Sequence, residues 1–423
     1  MPTRRSHAKS RHGCMACKAR RVKCDEVRPQ CSNCVKRRLA CEYASTGPIL
    51  WANGASSTAG RSSTPSLASQ QSDWTASAEN GLRLFENLST ESSASASASK
   101  ELNLDDLELM MQWCNSTYRS SSREERTDYL WRVRVPEVAL SHPFLMHGIL
   151  AVSALHLART HSNPHQRSKY LNSAISHQDQ ALADYRAQLS DINAENWRAM
   201  FVFAGIVTMY AFGYPHPPES EDIWAPVEDL CQVLLLTRGM REVLNTTLPW
   251  VEGSEFSVVL QLDTSAHPVP DAVRVALERL YETNDICAQQ MDHHHREAYA
   301  SAIEQLGIMF GEFEKETPLV KSVAARWPIK VDGKYFECLQ ARSPFALVIL
   351  SHYCLILHRL REYWWLEGWG TRVLRSIWLL LHDRWRQLIS WVMEEVFGPG
   401  FADIIETSEA EKQTCDAQHG TSL

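Results

Sequence analysis

The chain has 423 residues, of which 44% are hydrophobic and 22% charged, so it is long enough for about two or three domains and most of it can bury a core. Its net charge of −7 is unevenly divided. Residues 1–43 hold twelve Lys or Arg against three Asp or Glu, a local charge of +9 that leaves −16 for the remainder. A basic end on an acidic body is typical of a nucleic-acid-binding arm joined to a regulatory or protein-binding body.

The same composition argues against secretion and membrane insertion. Met1–His12 is basic and has no apolar run, so it does not look like a secretory signal. The longest apolar stretch, Ala199–Gly213, spans about 15 residues, whereas a membrane helix needs ~20. We therefore expect an intracellular, reducing compartment, in which clustered cysteines are metal ligands rather than disulfides.

After a predicted flexible basic leader (1–12), residues 13–43 hold half of the twelve cysteines. The intervals between them are two, six, six, two and six residues, so the stretch contains two copies of one half-site. Tetrahedral zinc takes four ligands, and six sulfurs can complete two such sites only if two of them bridge. The repeat makes the leading cysteine of each half the bridging candidate, and the predicted ligands are Cys14, Cys17, Cys24, Cys31, Cys34 and Cys41, with Cys14 and Cys31 bridging.

Other functions of a cysteine cluster fit less well. A Cys-x-x-Cys redox pair needs a preceding strand, and none is indicated here. A disulfide knot needs an oxidising compartment. A metal store would not need the basic residues that fill the gaps between these cysteines.

Every cysteine interval, together with Pro29 between the halves, resembles the fungal binuclear zinc-cluster transcription factors. The resemblance implies two Zn²⁺ ions and double-stranded DNA as the partner. It also implies base contacts from Arg20 and Arg21, which precede Cys24 by four and three residues. Arginine can pair with guanine O6 and N7 in the major groove, which suits CGG-like triplets. We expect phosphate contacts, which add affinity without reading sequence, from Lys18, Lys23, Lys36, Arg37 and Arg38. The competing interpretation of these charges is solvated surface or a nuclear-import signal.

Residues 44–100 are rich in Ser, Thr, Ala and Gly, and Ser92–Ser99 is almost entirely Ser and Ala. Such a composition buries too little apolar surface to offset the entropy of ordering, so we predict a disordered linker. The family often has a coiled coil at this place, but no heptad pattern is present here. Dimerisation is therefore left open.

From Leu102 the pattern becomes helical, and we predict an all-α regulatory domain over residues 101–398 followed by a flexible tail, 399–423. Ser141-His142-Pro143 predicts a helix start with a capping hydroxyl, and Leu145, Ile149, Val152 and Leu155 then share one face. Further helices are predicted around Tyr170–Tyr185 and over Asn196–Phe212, Val227–Val243, Asp271–Ala288, Ala300–Phe313, Ser343–Tyr363 and Thr371–Val396.

Two stretches of this body, residues 141–158 and the Trp-rich segment 362–395, resemble the regulatory domain of fungal sterol uptake control proteins and the wider fungal-specific transcription factor domain. The resemblance implies a regulatory switch and, in sterol-responsive members, an apolar pocket for a sterol. Large aromatic side chains can line such a pocket. At helical spacing they belong to the core more often, so a sterol or lipid ligand competes with a plain core that contacts co-regulators.

Several remaining features have more than one interpretation. Asp292-His293-His294-His295 is interpreted as a solvated helix end rather than a metal site. The acidic–apolar run Glu101–Glu108 is either an activation segment or the start of an amphipathic helix. No nucleophile–base constellation or glycine-rich phosphate loop is evident, so no enzymatic activity is expected. The other six cysteines are interpreted as ordinary thiols: Cys114, Cys231, Cys287, Cys338, Cys354 and Cys415.

Together these patterns predict a nuclear, zinc-dependent, sequence-specific transcription factor. Sterol or lipid genes compete with a biosynthetic gene cluster as its target. A helical ligand-sensing or scaffold protein without a DNA role is the weaker alternative.

Overall fold

The computed structural model describes residues 17, 20, 22, 31–37, 103–121, 125–215, 222–260, 268–313 and 320–401. The chain divides into two compact units, residues 1–98 and 99–423. All regular elements among the described residues are helical, which confirms the predicted mostly-α fold class. The predicted leader (1–12) and linker (44–100), and all but three residues of the predicted tail (399–423), lie outside the described residues, and the proposed domain boundaries stay predictions.

The first unit has one described helix, α1 (Ser32–Val35). The second unit begins with shorter elements: α2 (Leu104–Asn115), a 3₁₀ turn (Thr117–Ser120), α3 (Glu125–Tyr129), a π-helical turn (Leu130–Arg134) and α4 (Val135–Ala139). The remaining helices are α5 (Pro143–Thr160), α6 (Pro164–Gln188), α7 (Trp197–Gly213), α8 (Ala225–Gly239), α9 (Arg241–Val251), α10 (Ser257–Leu260), α11 (Asp271–Gln290), α12 (Arg296–Glu312), α13 (Val320–Lys330), α14 (Gly333–Gln340), α15 (Pro344–Arg359), α16 (Trp369–Leu380) and α17 (Asp383–Phe397).

Helix α7 is the centre of the first half of the body. Its sequence is apolar on all sides, and fifteen of its seventeen residues are buried. It packs against α4, α5, α8 and α9. Burial of each large apolar side chain stabilises the fold by about 1.5–3 kcal/mol, so a helix with this many buried side chains is a major source of stability. The predicted central helix is confirmed, displaced by one residue.

Helix α15 has the same role in the second half. Residues 345–357 are all buried, and the helix packs against α12, α14, α16 and α17. The crossing with α16 is close at Gly370, where a Cβ atom would lie 2.6 Å from the carbonyl oxygen of Cys354 and 2.9 Å from the amide nitrogen of His358. Only glycine allows the two backbones to approach this closely.

Two predicted long helices are each divided in the structure, so those predictions are wrong in detail. The predicted helix 227–243 ends at Gly239, and α9 begins after Met240. Glycine costs about 1 kcal/mol relative to alanine inside a helix, which favours a break there. The predicted helix 371–396 is interrupted at Leu381 and His382, whose backbones are extended, and Asp383 starts α17 with a favourable acidic residue in the first turn.

The predicted start of α5 is correct in place but wrong in its cap. Pro143 occupies the first turn, as expected. The N-cap residue is His142 rather than Ser141, and no side chain caps the helix. The ring nitrogen Nδ1 of His142 instead lies 2.9 Å from the carbonyl oxygen of Val138, in the preceding helix. The residues predicted to share one face of α5 are all fully buried: Leu145, Ile149, Val152 and Leu155.

Other elements were not predicted. Residues 125–139 and helices α13 and α14 lack a long amphipathic pattern, and α13 contains an internal proline, Pro328. In the part of the chain that the structure describes, no single helix is long and apolar enough to cross a membrane; α14 and α15 reach that length and composition only as a pair bent by 111°.

Candidate metal centre and nucleic-acid interface

Three of the six predicted metal ligands lie together. The Sγ atoms of Cys17, Cys31 and Cys34 are all within 4.8 Å of one another, and the three side chains are fully buried. Cys17 belongs to the first half-site, whereas Cys31 and Cys34 belong to the second. The structure therefore brings sulfurs from both halves of the repeat into one cluster.

Local helix formation places the second pair. Cys31 is the N-cap residue of α1, with an extended backbone, and the amide of Cys34 donates to the carbonyl oxygen of Cys31 at 3.0 Å. A Cys-x-x-Cys spacing on one helical turn directs both sulfurs toward the same side. The turn closes with the amides of Lys36 and Arg37, which donate to the carbonyl oxygens of Ser32 and Cys34.

The sulfur spacing fits zinc coordination. The Sγ atoms of Cys17 and Cys31 are 3.6 Å apart. Two thiolates on one tetrahedral zinc, with Zn–S bonds of about 2.3 Å, lie about 3.8 Å from each other. Three buried thiolates this close would repel one another strongly without a cation, so the donor set suits a soft divalent metal ion.

Of the predicted DNA-contacting residues, the structure describes three. Lys36 and Arg37 follow Cys34 directly and are exposed. Arg20 is half-buried, and its Nη2 atom is 3.8 Å from the Sγ atoms of both Cys17 and Cys34. The other predicted site residues lie outside the described residues: Cys14, Cys24, Cys41, Lys18, Arg21, Lys23 and Arg38.

The tryptophans of the segment 362–395 are part of the helical core. Trp365, Trp369, Trp378 and Trp385 are buried. The indole N–H of Trp369 donates to the carbonyl oxygen of Phe212 at 2.8 Å, which joins the end of α7 to α16. These contacts support the plain-core interpretation of the tryptophans.

Trp364 joins the same segment to the first half of the body. It stacks on His156 with ring centroids 4.7 Å apart, and its N–H donates to Ser120 Oγ at 2.6 Å. Burial of the His156 ring lowers its pKa to about 4. This imidazole is therefore neutral at physiological pH.

The histidine run after α11 matches the predicted solvated helix end only in part, because Asp292 and His293 are exposed whereas His294 and His295 are half-buried. His294 Nε2 lies 2.6 Å from Asn284 Oδ1, and its ring packs against Tyr299 and Phe345 at centroid distances of 4.8 and 5.7 Å. His295 is the N-cap residue of α12. The three histidines turn the chain from α11 into α12, and only His294 packs inward because the turn directs successive side chains differently.

A row of polar side-chain contacts joins α2, α5 and α6, and no sequence pattern predicted it. The Nδ1 atoms of His147 and His177 are 2.9 Å apart, and His177 Nε2 is 3.4 Å from Asp106 Oδ1. Burial is the main cause that lowers the pKa of His177, although Asp106 opposes the shift. No signal in the sequence links residues so far apart, because only the docking of α2 onto α6 brings them together.

The run Glu101–Glu108 contributes to an amphipathic helix, one of its two predicted interpretations. Asn103 caps α2 by accepting from the amide of Asp106 at 3.3 Å, and Leu109 and Trp113 are buried against the body. The opposite face exposes a second apolar row, which we call the α2 stripe: Leu104, Leu107 and Met111, with exposed fractions of 70%, 48% and 62%.

The cysteines of the body do not form a described cluster. Cys231, Cys287, Cys338 and Cys354 are buried, and Cys114 is half-buried. Burial raises the pKa of the Cys231 thiol to about 12, with a contribution from Glu228, and raises that of Cys354 further. Neutral buried thiols are poor nucleophiles and poor ligands. Cys415 lies outside the described residues.

Comparison with known protein families gives two matches, one in each unit. Residues 12–46 match the fungal Zn(2)-Cys(6) binuclear cluster domain. Residues 108–245 match the fungal specific transcription factor domain. The first match contains the whole cysteine repeat, and the second extends from α2 into α9.

Individual relatives agree with this assignment. A Zn(2)-C6 fungal-type transcription factor of Gibberella zeae is 24% identical over 99% of this chain and 92% of its own length. The Zn(2)-C6 fungal-type transcription factor afumD of Aspergillus fumigatus is 24% identical over 83% of this chain and 86% of its own length. Sterol uptake control protein 2 of Candida albicans is 30% identical, but over only 38% of this chain and 22% of its own length.

Both domain matches agree with the structure. The first covers the clustered thiols and their repeat, and the second lies in the helical body. The cluster domain binds two zinc ions, as the cysteine count predicted. The chain therefore contains a fungal Zn(2)-Cys(6) binuclear cluster domain and a fungal specific transcription factor domain, and its similarity to Zn(2)-C6 fungal-type transcription factors supports the role of a DNA-binding transcription factor.

Proposed function

We propose that this transcription factor reads CGG-like triplets through a cluster in which all six cysteines of residues 13–43 are ligands and Cys14 and Cys31 bridge the two zinc ions. The observation that carries the proposal is the position of Cys31. Its sulfur lies 3.6 Å from that of Cys17, in the other half-site, and one helical turn from that of Cys34. A sulfur close to ligands of both halves suits a thiolate shared by two zinc ions.

The basic residues supply the contacts with DNA in this proposal. Arg21 reads guanine in the major groove, where its guanidinium can pair with O6 and N7. Lys18, Lys23, Lys36, Arg37 and Arg38 bind phosphates and give affinity without base preference. The exposure of Lys36 and Arg37 at the end of α1 supports this role, because a phosphate contact needs a charge that reaches solvent.

Metal content and DNA binding test the proposal on the same preparation. We expect two zinc ions per chain by elemental analysis and tighter binding to a duplex with a CGG triplet than to a scrambled duplex by fluorescence anisotropy. Removal of zinc by a chelator should abolish both affinities, since the metal supplies the folding energy of such modules. One zinc per chain, or unchanged binding after chelation, would contradict the proposal.

We further propose that the factor acts in the nucleus on sterol or lipid genes. The partial similarity to sterol uptake control protein 2 of C. albicans supports this target class. Transcript profiling of a deletion strain tests it, because the affected genes identify the pathway directly. A response confined to one biosynthetic gene cluster would favour the alternative target instead. A sterol or lipid ligand of the body stays a prediction.

The α2 stripe supports a role for the body in contacting transcriptional co-regulators. Its three apolar side chains recur at helical spacing, and Glu108 flanks them, which suits an apolar groove with a basic rim. We expect the double variant Leu107→Asp and Met111→Asp to lower reporter transcription while DNA binding in vitro is unchanged. Leu140→Asp is the matched control, because Leu140 is 79% exposed but lies outside the stripe. Equal loss of transcription in both variants would contradict the assignment.

A further inference from the structure

The position of Arg20 differs from that expected of a residue that only reads bases. Its side chain is half-buried, and Nη2 lies 3.8 Å from Cys17 Sγ and 3.8 Å from Cys34 Sγ. These two cysteines come from different halves of the repeat. One guanidinium nitrogen therefore contacts sulfurs on both sides of the cluster.

The negative charge of the zinc–thiolate cluster gives a physical reason for a contact with a guanidinium. Six thiolates and two Zn²⁺ ions together carry a net charge of −2, and that charge resides largely on the sulfurs. A guanidinium is permanently positive and presents five N–H donors, so it can donate charge-assisted hydrogen bonds to two sulfurs at once. Outer-shell donors of this kind orient metal ligands and tune how tightly they hold the metal.

The same contact restricts what Arg20 can do in the groove. Pairing with guanine uses two N–H groups of the guanidinium fork in one plane, aimed at O6 and N7. In this structure one nitrogen of that fork, Nη2, lies against the sulfurs instead. Arg20 and Arg21 are adjacent and chemically identical, yet they need not share one function.

We propose that Arg20 is a positioning residue of the metal centre: its guanidinium bridges the thiolates of Cys17 and Cys34, holds the two half-sites together and slows zinc loss, and base readout falls to Arg21. The inference rests on the zinc ligands proposed above. It concerns a residue next to that site and makes a separate claim, that the two neighbouring arginines have separable effects.

The test compares Arg20→Gln with Arg21→Gln in the whole 423-residue chain. Each variant removes one positive charge from the same segment, so each is the control for the other. Zinc transfer to 4-(2-pyridylazo)resorcinol is followed by absorbance. We expect Arg20→Gln to release zinc about 10-fold faster than the unmodified chain, the lower end of the effect of removing an outer-shell partner. Arg21→Gln should release zinc at the unmodified rate.

DNA binding provides the second readout. The ratio of the affinities for CGG and scrambled duplexes should fall in Arg21→Gln and stay unchanged in Arg20→Gln. Arg20→Lys keeps the charge but loses the planar fork, so its zinc release should lie between those of the unmodified chain and Arg20→Gln. The charge-transfer band of the Co²⁺-substituted protein, which reports thiolate coordination, shows whether each variant still forms the cluster.

The outcomes separate this inference from the proposed function. Equal zinc release in all the variants, or a loss of base preference in Arg20→Gln, would overturn the role of Arg20. Neither result would change the two-zinc stoichiometry or the loss of DNA binding on chelation. A chain that holds fewer than two zinc ions before any substitution would instead contradict the ligand set itself.

Discussion

Different interactions stabilise the two units of this chain. In the first, the described residues form a single four-residue helix and a cluster of three buried cysteine sulfurs. In the described part of the second, there are eighteen regular elements, and they include the buried apolar helices α7 and α15. About thirty residues cannot bury enough apolar surface to fold alone, so a metal must supply the stability, whereas about 300 residues can build an ordinary core. The comparison teaches that each unit should fail under conditions that leave the other intact.

The largest expected effect is on the first unit alone. Cys31→Ala removes the proposed bridging thiolate, and we expect zinc binding and DNA binding to be lost completely because the module loses its folding energy. The thermal unfolding transition of the body, followed by far-ultraviolet circular dichroism, should keep its midpoint. Cys231→Ala is the control, since it removes a buried body cysteine and should leave two zinc ions in place. A Cys31→Ala chain that still holds two zinc ions would show that the bridge is elsewhere.

Acid should act on the body through its buried histidines. Burial lowers the pKa of His156 and of His352 to about 4 each. Since the unfolded chain protonates near pH 6.5, it binds more protons than the folded body between pH 6.5 and 4, and stability falls as pH falls through that range. Each histidine should lower the free energy of unfolding by up to about 1.4 kcal/mol per pH unit.

Urea unfolding of the body at pH 7.0, 6.0 and 5.0 measures this slope. His352→Leu removes one of the two groups, so the loss of stability between pH 6.0 and 5.0 should be smaller in that variant by about 1 kcal/mol. The control for loss of an imidazole is His293→Gln, at an exposed position. An identical slope in His352→Leu and the unmodified chain would mean that His352 does not stay neutral in the folded body.

A methyl group at the α15–α16 crossing should destabilise the body but not the cluster. Gly370→Ala places a Cβ atom 2.6 Å from a backbone oxygen, which cannot move as a side chain can. We expect a loss of about 1–3 kcal/mol in the free energy of unfolding by urea. Gly205→Ala is the matched control, because nothing lies within 4 Å of its added Cβ, and it should instead stabilise α7 by about 0.5–1 kcal/mol. A neutral Gly370→Ala would show that the two helices separate easily.

The smallest effects distinguish residues within the DNA-binding unit. Arg21→Ala should cost about 1–3 kcal/mol on a CGG duplex and little on a scrambled one. Lys36→Ala should weaken both duplexes alike and reduce the salt dependence of binding by about one phosphate contact. Anisotropy titrations at several salt concentrations measure both. Equal losses on both duplexes in Arg21→Ala would contradict its role as the base reader.

The sequence alone predicted those features that depend on residues close together in the chain. The cysteine spacing predicted zinc and two half-sites, because ligand geometry depends on intervals of two and six residues. The apolar composition around α7 predicted a buried helix, and Pro143 predicted where α5 begins. The single helices predicted for 227–243 and 371–396 were wrong. One poor helix former, such as Gly239, does not by itself show whether a helix ends at that residue.

Tertiary structure decided what depends on contacts between distant residues. The docking of α2 brings Asp106 to the His147–His177 pair, and packing makes Trp369 a core residue that donates to Phe212. Within residues 13–43, the sequence determined that Arg20 and Arg21 are two equivalent charges beside a metal site. Only the folded chain places Cys34 of the second half-site next to Arg20, because a hydrogen bond depends on position in space and not on residue type.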